Sequence, residues 1–78
     1  MMKYAVKGVY EGRPVDMYDR KLESMFKEQW VGAGCFLGSP DERDHGWIFD
    51  NPHDPKLLTG WLLKLAFIQS VTIRKQDQ

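Results

Sequence analysis

Residues 30–50 decide the fold. They read Trp30-Val-Gly-Ala-Gly-Cys-Phe-Leu-Gly38, then Ser39-Pro-Asp-Glu-Arg43, then Asp44-His-Gly-Trp-Ile-Phe-Asp50. Two apolar runs rich in aromatic residues flank a polar segment of turn formers, which predicts two antiparallel strands joined by a bend over 38–43. Successive side chains in a strand point to opposite faces. The first run therefore sorts into Val31, Ala33, Cys35 and Leu37 against Trp30, Gly32, Gly34 and Phe36. The second sorts into His45, Trp47 and Phe49 against Asp44, Gly46, Ile48 and Asp50. Taking the odd-numbered set as the core face in both runs gathers Gly32, Gly34 and Gly46 on the opposite side. Glycine in a strand marks a bulge, or a place where a backbone or ligand comes close.

Outward from this ribbon the pattern changes period. Before it, Lys3–Tyr10 alternates, with Tyr4, Val6, Gly8 and Tyr10 facing the core and the lysines facing away. Glu11-Gly12-Arg13-Pro14 ends that strand. Tyr18, Leu22, Met25 and Phe26 then recur at helical spacing, which predicts a helix over 16–29 with Asp16 as its cap. After the ribbon, Asp54 followed by Pro55 is a helix start, and Leu57, Leu58, Trp61, Leu62 and Leu65 carry the helix to Ala66 or Ile68. Gly60 inside it costs about 1 kcal/mol relative to alanine, a cost that a close helix contact would offset. Val71 and Ile73 mark a short last strand, and Lys75–Gln78 is a tail expected to fray.

The resulting order, β-α-β-β-α-β, predicts an α+β ferredoxin-like fold. A four-stranded antiparallel sheet carries both helices on one face, with the first and third strands central. The 78 residues make one domain, 1–78, with no room for a second core. At this size the three Trp, four Phe and three Tyr are needed as core staples, with dimerisation a second source of burial.

Composition excludes more than it assigns. Eleven acids balance eleven bases, so the chain lacks the cationic excess behind general nucleic-acid or anionic-membrane affinity. Cys35 is the single cysteine, so no intrachain disulfide forms, and a reducing cytoplasmic setting is expected. No apolar run reaches the roughly 18 residues of a membrane span.

No catalytic constellation emerges. Cys35 falls on the core face, the serines lie in no nucleophile-elbow context, and Asp41, Glu42 and Asp44 read as solvated acids at a bend. Gly32, Gly34 and Gly38 do not have phosphate-loop spacing. Asp50, His53 and Asp54 could converge on a metal, but turn and capping roles explain them, and no cofactor or metal is expected. The chain is expected not to be an enzyme.

Two surfaces remain. Between Ser39 and Asp54 there are five acids and one Lys or Arg, Arg43. The acidic edge Asp41, Glu42, Asp44, Asp50 and Asp54 would suit a basic partner surface. The open sheet face is expected to show Lys3, Lys7, Trp30, Phe36 and Arg74 around the glycine floor. The leading expectation is a non-enzymatic protein-binding module. One form would be an anti-CRISPR-like inhibitor of a phage or mobile element, occluding a partner's nucleic-acid groove. Self-association through the sheet is another. A single-stranded RNA binder is the alternative: His45-Gly46-Trp47-Ile48-Phe49 partly echoes the Lys/Arg-Gly-aromatic-Gly/Ala-aromatic signature of RNA-binding domains of this fold. An ACT-like ligand-sensing domain is a third.

Overall fold

The computed structural model describes residues 2–36 and 39–77, and of residues 35, 36, 39–41 and 77 the backbone alone. The chain runs β1 (Met2–Glu11), α1 (Asp16–Ser24), β2 (Trp30–Phe36), β3 (Ser39–Phe49), α2 (His53–Leu63) and β4 (Ile68–Asp77). The sheet order is β2-β3-β1-β4 with every neighbouring pair antiparallel. This is the ferredoxin-like α+β arrangement, with β1 and β3 central as the pattern required.

The core lies between the sheet and the two helices. Val6 and Tyr10 of β1 and Trp47 and Phe49 of β3 meet Leu22 of α1 and Leu58 and Leu62 of α2, and all are buried. Trp47 is fully buried and Phe49 is 2% exposed, so the parity read for β3 holds. Gly8 lets α2 sit close on β1: a Cβ there would meet Leu62 Cδ1 at 3.3 Å. Gly60 has no such contact, with nothing within 4 Å of an added Cβ, so no packing offsets its cost.

Helix α1 stops at Ser24, short of the expected 29. Met25 turns to extended backbone at ψ 121° and Phe26 follows with a positive φ of 46°, which together take the chain out of the helix. Its ring packs edge-on to Phe49 at 5.2 Å and stacks on Trp61 at 5.0 Å, contacts that outweigh the local strain. The stripe Tyr18, Leu22, Met25 and Phe26 still faces the core. Trp47 Nε1–H donates to Met25 O at 2.7 Å, satisfying a carbonyl just past the helix end. Asp16 does not cap α1; it pairs with Arg20 one turn on at 3.0 Å, and residue Val15 gives its N–H to the Tyr10 hydroxyl.

Helix α2 is capped by Asn51, not Asp54. Asn51 Oδ1 accepts from the N–H groups of His53 (3.1 Å) and Asp54 (2.8 Å). The helix ends at Leu63, before the expected 66–68.

Two stretches expected to be irregular are strand. Residues 39–43 belong to β3 because β1 and β2 supply partners: Arg43 pairs with Tyr10 and Cys35, and Glu42 with Glu11. Pro40 precedes the first β1 pairing, where a missing N–H costs no ladder bond. The tail expected to fray runs as β4 through Asp77, since Lys3 and Met2 pair with Gln76 and Asp77. Leu37 and Gly38 lie outside the described residues.

Candidate functional site

The uncovered face of the sheet carries a shallow depression among the described residues. Its floor is Gly32, Gly34 and Gly46, with Val31, Ile48 and Ala5 around it and Lys7 and Asp44 at the side. Together they form a shallow concavity of about 430 Å³. A smaller one of about 210 Å³, lined by Ala5, Lys7, Thr72, Arg74 and Gln76, adjoins it across β1. Lys7 Nζ lies 3.9 Å from Asp44 Oδ2.

A bulge in β2 sets this surface. Trp30 pairs with Trp47 and Gly32 with Gly46, so β2 spends one more residue than β3 over that interval. Gly32 has φ of 153°, a backbone that residues with side chains rarely adopt. Val31 is thereby turned onto the open face, 64% exposed, with Cγ2 3.5 Å from where a Gly46 Cβ would stand. Trp30 is turned to the helix side. Beyond the bulge the expected parity returns, with Ala33 opposite His45 and Gly34 opposite Asp44.

The expected open-face set is corrected accordingly. Lys3, Lys7 and Arg74 have open-face register on β1 and β4. Trp30 does not: its indole is bonded to His45 beneath the helices. The Phe36 side chain lies outside the described residues. No described aromatic side chain stands on the open face.

The five acids do not form one edge. Glu42 and Asp44 occupy β3 on the open face, and the Asp41 side chain lies outside the described residues. Asp50 and Asp54 sit at the far end of β3, next to Asn51, which donates to both carboxylates. Among the described residues no three His, Cys, Asp or Glu side chains gather to hold a metal.

Sequence reasoning missed a polar network on the helix side. Asp19 of α1 accepts from Tyr10 Oη–H at 2.6 Å and from Arg43 at 3.1 Å, and lies 2.7 Å from His45 Nε2. Trp30 Nε1 lies 3.0 Å from His45 Nδ1. An indole N–H can only donate, so His45 Nδ1 is the acceptor and Nε2–H donates to Asp19. Burial pushes the Asp19 carboxyl up, but hydrogen bonds from Tyr10, His45 and Arg43 and the Arg43 charge outweigh it and hold it below the usual value. Burial and the bond to Asp19 push the Tyr10 phenol above its usual value.

The arrangement resembles a His–Asp dyad, but its chemistry is closed. The imidazole lone pair that would take a proton is occupied by Trp30, and His45 is 1% exposed. What the network does is tie α1 to β1 and β3 through one carboxylate, with β2 joined through His45. The strand parities bring Tyr10 and His45 to one side, so two of its members were placed correctly; Arg43 was read into the bend and joins them only because β3 begins before it. Asp19 was legible only as a first-turn acid, and Trp30 was hidden by the bulge.

The chain matches no protein-family model and no curated protein. Among solved structures it is similar to a NIPSNAP family protein from Agrobacterium tumefaciens, at 17% identity and a TM-score of 0.48. The match covers 99% of this chain and 92% of that one. A likeness at that distance carries no argument about activity.

Proposed function

We propose that the chain is a small non-enzymatic protein-binding module whose docking surface is the open face of the sheet. The observation that carries this reading is Val31, an aliphatic side chain 64% exposed beside a glycine floor and an ion pair, with no helix over it. Low relief, exposed aliphatic area and charges of both signs suit a folded protein surface. The closed Asp19–His45 pair supports a non-enzymatic reading.

The inhibitory form, an acidic edge blocking a basic nucleic-acid groove as in an anti-CRISPR-like phage protein, rests on Glu42 and Asp44 with less support, because Asp44 is shared with Lys7. Single-stranded RNA binding loses its stacking platform with Trp47 and Phe49 buried. Ligand sensing of the ACT-like kind is favoured by the concavity alone, and would raise the melting temperature in a metabolite screen. No described helix is long and apolar enough to cross a membrane, and a cytoplasmic setting accords with the lone Cys35.

The test is affinity capture from the native host lysate with the unaltered chain and with Val31→Asp. Val31 is exposed, so the variant should keep its circular dichroism spectrum and lose its captured proteins. An identical captured set from both chains would overturn the reading.

A further inference from the structure

Resting on the open face as a docking surface, we infer that its occupant is a second copy of this chain, bound face to face about a diagonal two-fold axis. The argument is the sorting of charge. By register, Glu11, Glu42 and Asp44 stand toward one end of the open face, and Lys3 and Arg74 toward the other, with Lys7 between. Among these six residues the signs cancel. A patch of one sign asks for a partner of the other; a neutral patch with separated signs complements itself.

The acidic end is also strained by itself. Glu11 and Glu42 are direct cross-strand partners, and like charges in that position repel. Among the described residues neither has an ion-pair partner, and neither has Arg74. A cation from outside the chain would relieve the first pair, and a carboxylate from outside would serve Arg74.

The geometry admits this with one symmetry. Two identical faces meet isologously only about a two-fold axis lying in the plane between them. Acids lie on the β3 and β1 side of one end, and Arg74 lies on β4 toward the other. An axis running diagonally to the strands sets the Glu42 corner of one chain on the Arg74 corner of its partner, twice over. By register Glu42 and Arg74 are roughly 20 Å apart along the strands and about 10 Å apart across them, so the two sheets cross obliquely. A sheet of four strands about 4.8 Å apart is roughly 19 Å wide, so two crossed sheets overlap over roughly 400–500 Å² in projection, the size of a weak interface and less than the ~800 Å² per partner of a standard one.

The experiment measures mass by light scattering and sedimentation from micromolar to millimolar concentration. The unaltered chain should show a concentration-dependent dimer that weakens with salt. Glu42→Lys and Arg74→Glu should each raise the dissociation constant about tenfold or more with the circular dichroism spectrum unchanged. Mixed together, these two variants should recover the dimer, because both crossed contacts in the heterodimer are again between opposite charges. A mere effect on folding would not produce that rescue. A folded chain that stays monomeric at millimolar concentration would overturn the inference while leaving the protein-binding reading to the Val31→Asp capture. A dimer indifferent to both charge changes, or single variants that fail to rescue one another, would overturn it as well.

Discussion

Replacing Asp19 by alanine removes one carboxylate and strands three donors. Tyr10 and His45 are buried, and each is left with an N–H or O–H that has no acceptor. An unsatisfied buried donor costs about 1–3 kcal/mol, so the two together cost about 4 kcal/mol. Arg43 adds less, because its side chain is 21% exposed and reaches water. His45 cannot escape by changing tautomer, since Trp30 holds its other nitrogen as an acceptor. A chain of 78 residues at roughly 0.05–0.15 kcal/mol per residue has about 4–12 kcal/mol in all. Asp19→Ala therefore leaves a marginal or unfolded protein at the lower end of that range. Asp19→Asn keeps one acceptor oxygen and loses the charge, which should cost about 2 kcal/mol, or about 2 M in urea midpoint at a slope near 1 kcal/mol/M. The assay is urea unfolding at pH 7 followed by tryptophan fluorescence. Asp16→Ala is the control: its pairing with Arg20 is largely exposed and its loss should stay within about 0.5 kcal/mol. If Asp19→Ala and Asp16→Ala prove equally mild, the network contributes nothing to stability and the reasoning fails.

Three further outcomes follow from the same geometry. Gly60→Ala should stabilise by about 0.5–1 kcal/mol and raise the melting temperature, because the site is helical and open; a loss of stability in calorimetry would contradict it. Gly8→Ala should destabilise by about 1 kcal/mol or more, since the new methyl meets Leu62 at 3.3 Å; denaturation at unchanged slope reads this directly. The folded Asp19 carboxyl lies below its ordinary value of 3.8, so its contribution is complete above that pH and is lost as pH falls through the lower folded value. Stability measured from pH 6 to pH 2 should decline over that window in the unaltered chain, and the decline should be shallower in Asp19→Asn.

What the residues disclosed directly were matters of period. Alternation in 3–10 and 44–49, helical spacing through Tyr18, Leu22 and Phe26, and the apolar run from Leu57 set the element order and hence the fold, because a hydrophobic stripe has one stable partner, another stripe. Element ends were less legible. The helix α1 terminus depends on Phe26 preferring Phe49 and Trp61 to helical backbone, and the strand character of residues 39–43 depends on Tyr10 and Glu11 offering ladder partners. Local turn propensity lost to pairing in the second case.

The docking surface was half readable. Lys3, Lys7 and Arg74 follow from strand parity, which the sequence carries by itself, as do the buried Trp47 and Phe49. Trp30 and Val31 exchanged faces because one bulge at Gly32 shifts parity by a single residue, and a bulge is chosen by how β2 fits against β3, not by either strand alone. The Asp19 network was likewise decided only in three dimensions: it joins residues 10, 19, 30, 43 and 45 across four elements, and no spacing along the chain records a contact made by packing a helix on a sheet.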